Sequence, residues 1–152
     1  MQTLNLPSFE FRIKEENNKM FIYDRWRKKY VSLSPEEWVR QNFIMYLISE
    51  KKFPASLIAI EKSLKVVKRS KRTDIVVYNN QAEPLLIVEC KAPEVKINQD
   101  VFDQIIRYNM SLRVDYLIVT NGLQHFCCKL NYSQNACSFL NDIPDYQDLH
   151  KP

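Results

Sequence analysis

Glycine occurs once in these 152 residues and histidine twice, and no uninterrupted apolar run approaches the roughly 20 residues that span a bilayer. A transmembrane helix is therefore not expected, and the sequence reads as that of a soluble chain. The opening MQTLNLPSFEFRIKEENN lacks a basic region followed by an apolar stretch and a small-residue cleavage site, so no secretory signal is expected and the cytoplasm is the expected location. Four cysteines, at 90, 127, 128 and 137, include an adjacent pair, a spacing that fits neither a disulfide framework nor a CxxC zinc site. They read as reduced thiols. No internal repeat or low-complexity segment occurs. His125 lies in a β run beside Phe126, where a structural role is expected, and His150 lies near the end.

What is present points to one domain. A chain of 152 residues that is 45% hydrophobic and 12% aromatic can bury a conventional core without staples. The net charge of +4 permits nucleic-acid binding without requiring it. The clustering says more: KSLKVVKRSKR, from Lys62 to Arg72, packs six of the 22 basic residues into eleven positions. It reads either as a solvated strand edge and loop or as a phosphate-contacting stretch.

Along the chain, residues 1–33 alternate the short β-like runs FEFRI, MFIYD and KKYVSL around a polar turn at EENNK, predicting an N-terminal β ribbon that joins the main sheet. Ser34-Pro35-Glu36-Glu37 supplies an N-cap, a proline at the first helical position and first-turn acids. A helix to about Lys51, ended by Pro54, should bury Val39, Phe43 and Leu47. Strands are expected at 58–67, 73–78 and 85–91, with a turn at Asn79 to Glu83. A second helix is expected at 99–112 and a central strand at 116–120. Asn121-Gly122, the pair favoured in two-residue hairpin turns, leads into a further strand to Leu130. The last residues, 141–152, look like a tail. The fold class is α/β: a mixed central sheet flanked by helices, with residues 34–140 as the core.

The stretch RTDIVVYNNQAEPLLIVECKAP places Asp74, Glu89 and Lys91 within apolar runs, where uncompensated charge is costly. Strand alternation puts Glu89 and Lys91 on one face. If the hairpin closes about Gln81 and Ala82, facing residues have numbers summing to 163, and Asp74 stands opposite Glu89 with Cβ atoms about 5 Å apart. Mg²⁺ between the two carboxylates removes their repulsion and keeps positions for water and a phosphate oxygen. Lys91 beside it could position or deprotonate a water or stabilise phosphate charge, which is the chemistry of phosphodiester hydrolysis. The same residues would also serve as a cross-strand salt-bridge cluster on an exposed face. Gln104 and Tyr108, one turn apart, present an amide and a phenol on one side of the second helix. Phe126 and Tyr132 could stack on bases, although core positions account for them as well.

TDIVVY, LLIVECK and QIIRY together resemble the PD-(D/E)xK nuclease superfamily. The ordered set SPEEWVRQ, KRTDIVVY, PLLIVECKAP, QIIRYN and TNG is similar to the N-terminal nuclease domain of type I restriction enzyme R subunits. The resemblance, spanning Ser34 to about Leu130, implies a restriction-endonuclease-like fold and a Mg²⁺-dependent endonuclease of restriction–modification, with Mn²⁺ able to substitute. It implies Asp74, Glu89, Lys91, Gln104 and Tyr108 as catalytic residues. Metal ligands would be Asp74, Glu89, the Cys90 backbone carbonyl and a helical glutamate, Glu37 in preference to Glu36, which first-turn dipole chemistry explains. DNA contacts would come from Lys68, Arg69, Lys71, Arg72, Gln104 and Tyr108. Thr73 stands where the superfamily has its proline. No motor is expected within a sequence ending at Pro152, so the expected partners are DNA and either a second copy or a separate motor or specificity subunit. The alternative is a catalytically silent DNA-binding or protein-interaction module on the same fold.

Overall fold

Asn17 and Asn18 turn the chain back on itself with φ of 52° and 62°. Two left-handed residues are what a two-residue type I′ hairpin requires, and asparagine tolerates that region well. They join β1 (Ile13–Glu16) to β2 (Lys19–Asp24), and β3 (Lys29–Ser32) completes an antiparallel ribbon in which Ile13 faces Ile22 and Tyr23 faces Tyr30. This is a computed structural model, and it describes residues 1–60, 74–109 and 113–150.

Two expectations are corrected here. The ribbon forms a sheet of its own and does not join the main one, because its three strands pair with each other. Its first strand takes in only the last residue of FEFRI, Ile13, and runs on to Glu16, because the Asn17–Asn18 turn fixes the register and leaves Phe11 to pack edge-on against Trp38, ring centroids 5.6 Å apart.

Helix α1 (Pro35–Ser49) starts as its sequence dictates: the Glu37 N–H donates to Ser34 Oγ at 3.0 Å, behind Pro35. It stops where Lys52 enters the left-handed region at φ 60° and the Phe53 N–H reaches back to the Leu47 carbonyl at 3.0 Å, giving one of the last helical carbonyls a partner. Val39, Phe43, Ile44 and Leu47 are buried, as their helical spacing predicts.

The main sheet has the order β4 (Ile58–Ile60), β5 (Ile75–Tyr78), β6 (Pro84–Cys90), β7 (Tyr116–Thr120), β8 (His125–Asn131) and β9 (Ala136–Leu140). All neighbours are antiparallel except β6 and β7, which are parallel and connected through α2 (Gln99–Asn109). Alternation divides the strands' side chains between two cores. Ile75, Val77, Leu86, Val88 and Ile118 pack with α1, and Val76, Ile87, Leu117 and Val119 pack with Phe102 and Ile105 of α2. Burial on both faces explains why β6 and β7 read as near-continuous apolar runs. The far parts of the strand expected to Val67 and of the helix expected to Leu112 lie outside the described residues.

The β7–β8 connection is a four-residue loop, not the two-residue turn expected from Asn-Gly. Thr120 pairs with His125, and Asn121 Oδ1 accepts the N–H groups of Leu123 and Gln124 at 2.9 and 2.8 Å, which holds the wider loop closed. Gly122 has φ 85°, and a Cβ there would lie 2.7 Å from Leu4 Cδ2 and 3.1 Å from Val39 Cγ2. Gly122→Ala is therefore expected to cost about 1–3 kcal/mol through backbone strain and overpacking, read as a lower urea midpoint.

The expected tail is docked. Ile143 and Leu149 enter the α1-side core, and the Tyr146 N–H donates to the Lys51 carbonyl at 2.9 Å. Tyr146 also packs edge-on against Phe53, centroids 5.4 Å apart. Among the described residues no helix is long and apolar enough to cross a membrane.

Candidate active site

The β5–β6 pairing sets the geometry. Ile75 faces Val88, Val76 faces Ile87 and Val77 faces Leu86, the register in which residue numbers sum to 163, with a shift only next to the turn at Tyr78. One step beyond the last pair stand Asp74 and Glu89. They are 7% and 5% exposed, so this is not a charge cluster on an open sheet face.

Asp74 Oδ2 accepts the Cys90 N–H at 2.7 Å. A residue in an extended strand turns its N–H and C=O to the same neighbour, so the Cys90 carbonyl faces the Asp74 side of β6. The Lys91 N–H donates to the Thr120 carbonyl at 2.8 Å, continuing the parallel pairing and keeping the half-buried Lys91 on the face of Glu89. Burial, reinforced by the charge on Asp74, raises the Cys90 thiol well above its ordinary range, so that it stays protonated.

From α1, Arg40 closes the other side. Its Nη2 donates to Asp74 Oδ1 at 2.6 Å and lies 3.5 Å from Glu36, and its Nη1 donates to Glu37 Oε1. Glu37 Oε2 also accepts from Arg27 Nη2 and Gln41 Nε2, both at 2.8 Å, and the Arg27 Nε bonds Asp24. A chain of alternating charges thus runs Asp24, Arg27, Glu37, Arg40, Asp74, from the ribbon to the sheet. Burial alone would ease the proton off Arg40, but the Asp74 charge and hydrogen bond and the Glu37 charge outweigh it, and the net shift is upward. The guanidinium is a permanent cation.

Several expected site residues have a definite place in this arrangement. Asp74, Glu89, Cys90 and Lys91 lie at one end of the β5–β6 pair, Asp74 bonded to Arg40 of α1 and to the Cys90 N–H, and Glu89 on the face of Ile87 by alternation. Glu37 is buried 5% exposed with its carboxylate held by three side chains, whereas the Glu36 side chain is 48% exposed. Gln104 is exposed on α2, which covers the sheet face that carries Ile87 and, two residues on, Glu89. Tyr108 lies in the last turn of α2, and its side chain is outside the described residues, as are Lys68, Arg69, Lys71, Arg72 and Thr73. Among the described residues no group of three or more His, Cys, Asp or Glu gathers as a metal cluster. The donor set that fits Mg²⁺ is the smaller one, two carboxylates and a carbonyl, all hard oxygen ligands, with water completing the shell. Sequence reasoning missed Arg40 and Arg27. The spacing of Glu36 and Glu37 to Arg40 at i+4 and i+3 was a usable signal for the first.

His125 is structural. Its Nδ1 meets Thr120 Oγ1 at 2.7 Å and its Nε2 meets the Asn5 carbonyl at 3.0 Å, a pattern satisfied by the neutral ring protonated on Nε2. Phe43 and Tyr46 flank it at centroid distances of 5.5 and 6.3 Å. Burial lowers its pKa below the ordinary 6.5, partly opposed by the Asn5 hydrogen bond. The folded state therefore binds the His125 proton less readily than the unfolded chain. Stability from this residue is present above pH 6.5 and is lost as pH falls below it. Urea midpoints at pH 7.5 and 5 should show a drop that is smaller in His125→Gln.

The sheet order, with the acid pair at the end of an antiparallel hairpin and α2 crossing to a parallel strand, defines an α/β domain of the restriction-endonuclease-like type. The chain belongs to the type I restriction enzyme R protein N-terminus family, which residues 35–144 match. Among solved structures it is similar to a fragment assigned to an HsdR subunit of a type I restriction enzyme from Vibrio vulnificus YJ016, with a TM-score of 0.54 and 19% identity over 77% of this chain. That likeness bears on the fold, and the chain covers 24% of the length of that one. No curated protein matches.

Proposed function

We propose that this domain hydrolyses DNA phosphodiester bonds as a Mg²⁺-dependent endonuclease, Mn²⁺ substituting, in the manner of a restriction R-subunit N-terminal domain working with DNA and with other subunits. What supports the proposal is that Asp74 and Glu89 are both buried one step beyond the last pair of the β5–β6 hairpin, with Lys91 two residues on from Glu89. Asp74, Glu89 and the Cys90 carbonyl would hold the metal, which when bound polarises a phosphoryl oxygen and acidifies water. Lys91 supplies an ammonium that orients the attacking water or offsets charge developing on the phosphate. Gln104 and Tyr108 orient the site and the DNA strand, and Lys68, Arg69, Lys71 and Arg72 contact flanking phosphates, adding affinity without sequence preference. Glu37 joins the metal only by exchanging its bonds to Arg40, Arg27 and Gln41.

One observation favours a second reading. Both Asp74 oxygens already have partners in Arg40 and the Cys90 N–H, as a catalytically silent DNA-binding or protein-interaction module would keep them. Supercoiled plasmid and single-stranded DNA incubated in Mg²⁺ or Mn²⁺ separate the two. Nicking or linearisation that EDTA abolishes is the expected result. Intact DNA in both metals, with binding retained, would replace the enzyme by the silent module.

A further inference from the structure

We propose that the outward face of the N-terminal ribbon is a docking strip for the phosphate backbone of DNA, an inference that rests on the proposed reading only in taking DNA as the domain's ligand. Strand alternation and the ribbon register place Arg12, Lys14, Lys19, Phe21, Tyr23 and Tyr30 on one face. The opposite face carries Ile22 and Asp24, both fully buried, and Asp24 ties it through Arg27 to Glu37 of α1. The basic face is therefore the one turned outward. Across it the Tyr23 and Tyr30 rings meet edge-to-face at 5.3 Å. The Arg12 guanidinium lies 4.6 Å from the Tyr23 centroid, and the Lys14 ammonium lies 4.3 Å from the Tyr30 centroid after crossing over β2. Two cations are thus held on an aromatic floor that limits their rotamers, which lowers the entropy cost of a phosphate contact.

The charge balance favours an anionic partner. From Glu10 to Ser32 there are seven basic and four acidic side chains. Asp24 and Arg27 are taken up with each other, Glu15 and Lys29 are on the opposite face, and Glu10 borders the strip, which keeps Arg12, Lys14 and Lys19. Glu16 shares the basic face and pairs with Lys14 at 3.2 Å, both side chains being exposed. Beside the strip a hollow of about 220 Å³ is lined by Glu10, Phe11, Arg12, Tyr23 and Arg25, bringing a second guanidinium next to Arg12. Exposed cations interleaved with aromatic rings are what single- and double-stranded nucleic acids engage, phosphates on the charges and bases or sugars on the rings. Asp24, on the inner face, ties the ribbon through Arg27 and Glu37 to Arg40 and Asp74, so the strip is anchored to the part of the domain that carries the hairpin.

The test is fluorescence anisotropy of labelled duplex DNA in EDTA, from 50 to 200 mM KCl, with the full chain. Each lost phosphate contact removes about 0.9 from the slope of log K against log salt. Arg12→Ala/Lys14→Ala is expected to flatten that slope by about 1 to 2 and to weaken binding about tenfold at the lowest salt. Thermal midpoints should stay unchanged, since both residues are exposed. Lys51→Ala/Lys52→Ala removes the same charge elsewhere and should leave the slope alone. Equal slopes in wild type and the ribbon variant, equal losses in both variants, no binding by wild type, or competition by poly-glutamate as effective as by DNA would each overturn the strip. Because the readout needs neither metal nor cleavage, a strip that binds in a protein that never cuts would refute the nuclease and leave the strip standing.

Discussion

Arg40→Ala is expected to cost about 3–5 kcal/mol of folding stability, because breaking a buried ion pair leaves the remaining charge uncompensated. Arg40 bonds both Asp74 and Glu37, each no more than 7% exposed, so its removal strands one carboxylate and halves the compensation of the other. Arg40→Lys keeps the charge but cannot span two carboxylates with one fork, so a smaller loss is expected. Urea unfolding followed by circular dichroism measures all three proteins. The same geometry gives a second signature. A divalent cation offsets the same negative charge that Arg40 offsets, so added Mg²⁺ should raise the thermal midpoint of Arg40→Ala by more than that of wild type. Equal midpoint shifts would separate Arg40 from the metal site and leave it a purely structural tie between ribbon, helix and sheet.

Lys91→Ala is expected to lower the rate of DNA cleavage about 10²- to 10⁴-fold, the range of a positioned proton-transfer or charge-stabilising group. Folding should barely change. The strand pairing at this position is made by the Lys91 backbone N–H, which alanine retains, and the side chain is half-buried. DNA affinity in EDTA should also stay within about twofold, since one phosphate contact at most is lost. Single-turnover cleavage measures the first effect and anisotropy the second. Loss of binding in parallel with loss of cleavage would make Lys91 a DNA contact and not part of the chemistry.

The hairpin could be read in advance because strand alternation and a short turn leave little freedom: DIVVY and LLIVEC fixed which residues face each other, from Val77 and Leu86 to Ile75 and Val88. The start of α1 was equally legible, since Ser34 and Pro35 act on their immediate neighbours. What depended on distant partners was not. Nothing local to Asp24 or Arg27 shows that the ribbon's β2–β3 turn will reach Glu37, so Glu37 read as a free ligand and not as the middle of an ion chain. The Asn121-Gly122 pair suggested the wrong loop length because the Asn121 side chain, bonded to the Leu123 and Gln124 N–H groups, holds the wider loop closed. Residues 141–150 read as a tail, although Ile143, Tyr146 and Leu149, three apart, carry the spacing of a short helical turn against the core.

The metal centre is tested most directly by calorimetric titration of Mg²⁺ and Mn²⁺ into wild type and Glu89→Gln, without DNA. A metal centre built on Asp74 and Glu89 gives one saturable site in wild type that is weakened at least tenfold in Glu89→Gln, whose amide keeps the shape and loses the charge. Identical isotherms for the two proteins would place any metal elsewhere and contradict a metal centre built on Asp74 and Glu89.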